Sequence, residues 1–186
     1  MRSQSLRLLF VALAVMVGAS CLVSFSNRAV RAAELRQVKV VQVTASSDAT
    51  EGTEWPHHPA MAVDGDPSTS WAASSNDTVG AWLKFNFGVR TKIDQIRIVN
   101  GWIPKGYPDF FTHNHRAKRI TLIDDNGKQQ SFELQDTNSV QSVSLTLGDT
   151  ESLTLRIDEI YSAANGAEEP WLTISEVVFF TGSPLK

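Results

Sequence analysis

Residues 82–87 read WLKFNF, and apolar and polar side chains alternate along this stretch. Leu83, Phe85 and Phe87 occupy every second position. Successive side chains of a β-strand point to opposite faces, so this period of two predicts a strand with one buried face. Residues 153–157, LTLRI, repeat the pattern and predict a second strand of the same kind.

Strand patterns recur along the chain, whereas no sustained 3.6-residue periodicity follows the N-terminal segment. Further strands are predicted at residues 38–44, 92–99, 118–124, 129–134, 140–147 and 172–180, for a total of about eight. Asn126–Gly127 predicts a hairpin turn, because both residues tolerate positive φ at its two central positions. Many short strands without helices between them predict an antiparallel sandwich or barrel.

Two long segments, residues 45–80 and 100–116, have no strand pattern. Both are rich in aromatic residues, histidine and asparagine. Long segments of this kind in a compact domain are usually functional loops. The sequence has no internal repeat or linker beyond the N-terminal segment, so residues 33–186 are predicted to form one domain.

Residues 1–32 have the layout of a secretory signal peptide. Arg2 and Arg7 give a positive start, residues 8–25 are mostly apolar, and cleavage is expected after Ala32. The apolar run is close to the shortest length that spans a membrane, which leaves an uncleaved anchor as the alternative. Cleavage would give a secreted or periplasmic protein without a membrane span.

The charge of the exported chain disfavours some partners. Cleavage after Ala32 removes four of the 17 basic side chains and leaves 13 against 20 acidic ones, a net charge of about −7. An acidic protein is not expected to bind nucleic acid. The single cysteine, Cys21, lies within the signal segment, so the domain must rely on its hydrophobic core rather than on disulfides.

A loop with two carboxylates raises the question of a metal. In AVDGDPSTSW, residues 62–71, Asp64 and Asp66 flank Gly65, and Thr69 follows. Oxygen ligands presented from one curved loop suit calcium, which takes six to eight of them. Asp-Gly-Asp-Pro is equally good turn chemistry, so the spacing alone leaves a calcium loop and a simple turn both open.

Catalytic signatures are missing from the sequence. It contains no nucleophile elbow, P-loop or dinucleotide-binding fingerprint. His57 with His58, and His113 with His115, could supply imidazoles to zinc, but their spacing matches no standard zinc site. We therefore expect a binding protein rather than an enzyme.

Six segments, taken in order, resemble the discoidin or coagulation factor 5/8 type C family, which is galactose-binding-like. They are AVDGDPSTSW, AWLKFNFG, KIDQIRIVNGW, RAKRITL, LRIDEIY and ISEVVFF. IVNGW and NHRAKRI are most similar to the branch called the NADase-type glycan-binding domain. The resemblance implies an eight-stranded antiparallel jelly-roll sandwich, non-catalytic glycan binding by loops at one end, and, as in many members, a structural calcium ion.

The resemblance also implies a ligand set for calcium. Its members would be the Met61 carbonyl, Asp64, Asp66, Thr69 and the Glu176 carboxylate. Such a site would tie the first long loop to the last strand, with Trp71 as a buried plug beside it.

Glycan recognition needs an exposed aromatic ring for the apolar face of a sugar and polar groups for its hydroxyls. The candidate ligand-binding residues are Trp55, His57, His58, Tyr107, Phe110, Phe111, His113, Asn114, Arg116 and Trp171. Tyr107, Phe110, Phe111 and Trp171 are expected to form the aromatic surface, whereas Trp102 directly follows a strand and is expected to be structural.

Two alternatives remain open for this loop surface. Arg116 could pair with a carboxylate or the backbone, or it could grip a sugar. The surface as a whole could also bind a protein partner instead of a glycan.

Overall fold

The computed structural model describes residues 34–50, 55–167 and 170–183. The predicted signal peptide, residues 1–32, lies outside the described residues. Within the described part, no helix is long and apolar enough to cross a membrane.

Ten strands account for about half of the described residues. They are β1 Glu34–Val38, β2 Gln42–Ala45, β3 Trp71–Ala72, β4 Trp82–Lys92, β5 Gln95–Asn100, β6 His115–Asp124, β7 Gln129–Glu133, β8 Gln141–Ser144, β9 Asp149–Tyr161 and β10 Leu172–Ser183. A 3₁₀ turn, Pro59–Val63, and one short helix, α1 Phe110–His113, lie in the long loops.

The strands form a sandwich of two layers. One layer has the order β2-β4-β9-β6-β7, and the other contains β8-β5-β10 with β1 and β3 also paired to β10. The pairs are antiparallel except for β6 with β10, which are parallel and connect the layers. The predicted fold class, an antiparallel jelly-roll sandwich, is confirmed.

The alternation in β4 builds the core. Leu83, Phe85 and Phe87 are buried, as the period of two predicts. The ring centroids of Phe85 and Phe87 lie 4.8 and 5.2 Å from that of Phe179 on β10, so side chains from both layers meet between them. Trp71 is also fully buried and its indole N–H donates to the Ser47 carbonyl, which agrees with its expected role as a plug.

Two predicted elements are wrong in detail. Residues 38–44 are not one strand, because β1 ends at Val38 to pair with β10 and β2 begins at Gln42 to pair with β4. The first long loop, expected to lack strands, contains β3, which exists through pairing with β10. The described residues have ten strands, which is roughly consistent with the predicted number of about eight.

The predicted hairpin between β6 and β7 is present, but its turn is shifted by one residue. The Gly127 N–H donates to the Asp124 carbonyl, which places residues 125 and 126 at the centre of the turn. Gly127 then follows with φ +80°, a left-handed conformation that glycine adopts without a steric penalty.

Several strand ends meet at one end of the sandwich, which we call the loop end. Leu172 pairs with His115, Arg116 pairs with Tyr161, and Gly101 bridges to Ile174. The connections that follow β5 and β9 therefore begin and end side by side, and β3 brings the first long loop to β10 beside them.

Candidate functional site

Aromatic side chains from three connections meet at the loop end. We call this group the aromatic cluster; its members are Trp55, His57, Trp102, Tyr107, Phe110 and Trp171. Neighbouring ring centroids within it are separated by 4.7 to 5.9 Å, mostly in edge-to-face contacts. Aromatic pairs prefer this geometry, so the cluster holds the three connections together.

The cluster has a buried floor and an exposed top. Trp102 is buried and its indole N–H donates to the Ser68 carbonyl over 2.8 Å, which agrees with its expected structural role. Trp55 is 37% exposed and Tyr107 is 51% exposed, and Phe110 is half-buried between them. Trp55 and Tyr107 are thus the rings most accessible to a ligand.

His57 belongs to the floor. It is 1% exposed, and its ring lies 4.7 Å from Trp102 and 5.1 Å from Trp171. Its Nδ1 lies 3.0 Å from the Ser70 carbonyl oxygen; because a carbonyl only accepts, Nδ1 carries the proton. Nε2 is buried and has no hydrogen-bond partner among the described residues. Burial lowers the pKa of His57, against the opposing effect of its bond to Ser70.

Asn114 is a second buried candidate residue. Its Nδ2 donates to the Phe110 carbonyl, and its Oδ1 accepts from the Trp171 N–H. The side chain therefore connects the loop after β5 to the segment that enters β10. The structure gives Asn114 a role in positioning the cluster.

Arg116 uses its guanidinium within the domain. Nε and Nη2 donate to the Asp136 carboxylate over 2.9 and 2.7 Å, and Nη1 donates to the carbonyls of Asn114 and Ser162. The group also lies 5.0 Å from the ring centroid of Phe111. Of the two uses left open by the sequence, the structure shows pairing with a carboxylate and the backbone.

Phe111 is separate from the aromatic cluster. It is half-buried and packs against Gly101, where an added Cβ would lie 2.7 Å from the Phe111 ring. Gly101 also has φ +76°, which favours glycine. Both the backbone conformation and the nearby Phe111 ring therefore exclude a larger residue at this position. Of the four residues expected to form the aromatic surface, Tyr107, Phe110 and Trp171 belong to the aromatic cluster. Phe111 packs beside Arg116 instead.

The other two histidine candidates remain at the surface. His58 is exposed, and its Nδ1 lies 3.2 Å from the Thr50 hydroxyl. His113 is exposed at the end of α1, and its ring lies 5.7 Å from Phe110. Both side chains are accessible to a ligand, and His113 lies at the edge of the cluster beside Phe110.

The Asp-Gly-Asp loop is held by its own hydrogen bonds. Asp64 accepts from the Asp66 N–H and from the Thr69 hydroxyl over 2.9 and 2.8 Å. Asp66 accepts from the N–H and the hydroxyl of Ser68. Met61 lies in the 3₁₀ turn that leads into this loop.

Glu176 ties the loop to the last strand. Its Oε2 accepts from the Gly65 N–H over 2.8 Å, and the residue is 7% exposed. Burial, with a smaller contribution from the charges of Asp64 and Asp66, raises the pKa of Glu176 to about 7. Burial is thus the main reason that the ionised carboxyl is unfavourable, and the charges of Asp64 and Asp66 add to it; a bound cation would offset both effects.

The candidate calcium ligands fit the ion in kind, because calcium prefers hard oxygen donors. Their present arrangement is less closed than a metal cage. Among the described residues, no three acidic, histidine or cysteine side chains are grouped as a metal site requires. The carboxylates instead accept hydrogen bonds from the loop backbone and hydroxyl groups.

Comparisons with solved structures show the same fold. The chain is similar to the CBM32 of AlyQ in complex with 4,5-unsaturated mannuronic acid (21% identity, 79% of this chain and 99% of that chain, TM-score 0.55). It is also similar to the family 32 CBM from C. perfringens NanJ in complex with galactose (18% identity, 80% and 100%, TM-score 0.55). A third is a mutant lectin binding domain of Lectinolysin complexed with Lewis b (15% identity, 82% and 100%, TM-score 0.56).

Sequence comparison gives the family. No curated protein matches the chain. Residues 35–180, which include all but the outermost parts of the domain, match the NAD glycohydrolase translocation F5/8 type C domain. The chain therefore belongs to the family of NAD glycohydrolase translocation F5/8 type C domains.

Proposed function

We propose that the protein binds glycans, without chemical turnover, through the exposed top of the aromatic cluster. The observation that carries this proposal is the exposure of Trp55 and Tyr107 above a fixed aromatic floor. An exposed ring provides a flat apolar surface for the C–H face of a sugar. His58 and His113 lie in the same loops and supply polar atoms for its hydroxyls.

The similar structures support this proposal. Three of them, by their descriptions, hold an unsaturated mannuronic acid, galactose and Lewis b. These ligands differ in charge and size, so the fold is compatible with several glycan classes. The loops, rather than the sandwich, therefore select the glycan that this protein binds.

The direct test is a glycan array followed by titration calorimetry with the best glycan. Trp55→Ala and Tyr107→Ala should each weaken binding by tenfold or more, because a few aromatic contacts usually dominate an interface (about 1.4 kcal/mol is tenfold). Val89→Ala is the matched control, since Val89 is an exposed apolar residue near the opposite end of the sandwich. It should bind as the parent does.

Two results would redirect the proposal. If all the variants bind the glycan equally, the site lies elsewhere on the domain. If no glycan binds but a protein partner is captured through Trp55 and Tyr107, the surface is a protein-interaction site instead.

We also propose that calcium binds at the Asp-Gly-Asp loop, with Asp64, Asp66, Thr69, Glu176 and the Met61 carbonyl as candidate ligands. The hard oxygen donors, and the raised pKa of the buried Glu176 carboxyl beside two aspartates, support this proposal. When bound, the ion would neutralise charge and strengthen the connection between this loop and β10.

Export is proposed separately. Residues 1–32 would direct secretion, and cleavage after Ala32 would release the domain into the periplasm or the medium. N-terminal sequencing of the exported protein tests the cleavage site, and a membrane-bound protein that still begins at Met1 would favour an anchor.

A further inference from the structure

His57 is the buried contact between three connections of the loop end. Its ring touches Trp102 after β5 and Trp171 before β10, and its Nδ1–H donates to the Ser70 carbonyl before β3. Trp102 in turn contacts Trp55 on the exposed top of the cluster. A change at His57 is therefore transmitted to the proposed binding surface through a single indole ring.

The surroundings of His57 suit only the neutral imidazole. Nδ1–H already has a carbonyl acceptor, whereas Nε2 is buried without a partner among the described residues. A proton added to Nε2 would create a buried N–H donor without an acceptor and a buried positive charge. Both changes are unfavourable unless the ring moves towards water.

We propose that His57 is a pH-sensitive clasp: its neutral ring holds Trp102 and Trp171 together, and its protonation on acidification releases them and weakens ligand binding. The predicted effect on ligand binding rests on the proposed glycan-binding function. The predicted release of Trp102 and Trp171 rests only on the packing of His57.

The charged neighbours do not oppose this behaviour. From its own segment His57 faces His58, whose charge disfavours a second proton. The Ser70 segment presents a carbonyl and a hydroxyl, and Trp102 and Trp171 present rings. Among the described residues, no carboxylate contributes to the electrostatics of His57. Burial is the largest effect and lowers the pKa of His57 below its ordinary 6.5.

The first experiment needs no glycan. Nitrogen-15 NMR of the histidine rings should show His57 as the Nδ1-protonated neutral tautomer at about pH 7.5, titrating below pH 6.5. Tryptophan fluorescence should change over the same range while far-UV circular dichroism stays constant. The proposal is contradicted if His57 is charged at neutral pH, or if the tryptophan fluorescence does not change while His57 titrates.

Variants assign the transition to one residue. His57→Gln removes the titrating group and should abolish the fluorescence transition. His58→Gln and His113→Gln are matched controls at exposed histidines of the same loops and should retain it. A transition that persists in His57→Gln contradicts the proposal; if that variant does not fold, the NMR titration of the wild type still decides.

The second experiment measures the affinity for the best glycan from the array at two pH values, one above and one below the fluorescence transition. Affinity should decrease as the solution becomes more acidic. The decrease should be at most about tenfold per pH unit, which is the limit for one coupled proton. Equal affinity at both values, despite a fluorescence transition, refutes the regulation. If no glycan binds at either value while the transition occurs, the proposed function fails and the conformational switch stands.

Discussion

Glu176→Gln is the substitution that most directly tests how the Asp-Gly-Asp loop is attached to β10. Glutamine keeps an oxygen that accepts from the Gly65 N–H but removes the negative charge. In the wild type, burial and two nearby aspartates raise the pKa of Glu176 from its ordinary 4.5 to about 7. One pKa unit corresponds to about 1.4 kcal/mol, so the ionised carboxyl lowers the free energy of unfolding by about 3 kcal/mol at most.

The sign of the pH dependence follows from the direction of the pKa change. The folded protein holds the Glu176 proton more tightly than the unfolded chain does. The stabilising contribution is therefore fully present below pH 4.5 and is lost as the pH rises through about 7. The contribution of Glu176 should therefore make the calcium-free wild type less stable at about pH 8 than at about pH 5.

Urea unfolding at these two pH values, with a chelator and with added calcium, measures the effect. With the chelator, Glu176→Gln should flatten the pH profile and exceed the wild type in stability at about pH 8. Added calcium should stabilise the wild type, by about 2.7 kcal/mol at a hundred times its dissociation constant, and should stabilise the variant less.

Glu159→Gln is the matched control. Glu159 is a surface carboxylate paired with Lys118 and Arg119, which lower its pKa, so this variant should lose a little stability rather than gain it. The reasoning is refuted if Glu176→Gln leaves the pH profile unchanged. The calcium assignment is refuted if calcium stabilises Glu176→Gln as much as the wild type.

Three further substitutions test the framework. Trp71→Ala should destabilise the fold by about 3 to 5 kcal/mol, because it leaves a cavity in the core, and a thermal melt measures this. Arg116→Met should cost about 1 to 3 kcal/mol, since it leaves the carbonyl of buried Asn114 and the Asp136 carboxylate without their donor. Arg119→Met, at an exposed ion pair, should cost less than about 1 kcal/mol, and equal losses would contradict this. Asp64→Ala should remove the difference between melts with chelator and with calcium; coincident wild-type melts would identify the loop as a simple turn.

The fold was predictable where one local pattern decides it. In β4 the alternation of Leu83, Phe85 and Phe87 matches the buried positions. The break between Val38 and Gln42 was not predictable, because the apolar pattern continues while the chain changes partners. Pairing with a distant strand, not local propensity, decides such elements.

The loops that form the candidate site could be predicted from the sequence, but the side chains that they expose could not. The sequence indicates which segments carry aromatic and polar residues, but not which side chains face inwards. His57, Asn114 and Arg116 are buried by contacts from other segments. Asp136, the carboxylate partner of Arg116, gave no local signal because it lies twenty residues away along the chain.

The burial of those polar residues separates two ways of altering ligand binding. Trp55 and Tyr107 can touch a ligand, so their truncation should raise the dissociation constant directly. Asn114 lies beneath them and joins Phe110 to Trp171, so its loss would act through the positions of the rings. A ligand contact and a positioning contact differ in one respect. Only the second should also shift the NMR signals of Trp171 in the protein without ligand, because Asn114 bonds to Trp171 whereas the Trp55 and Tyr107 rings contact other members of the cluster. That measurement distinguishes a ligand contact from a positioning contact.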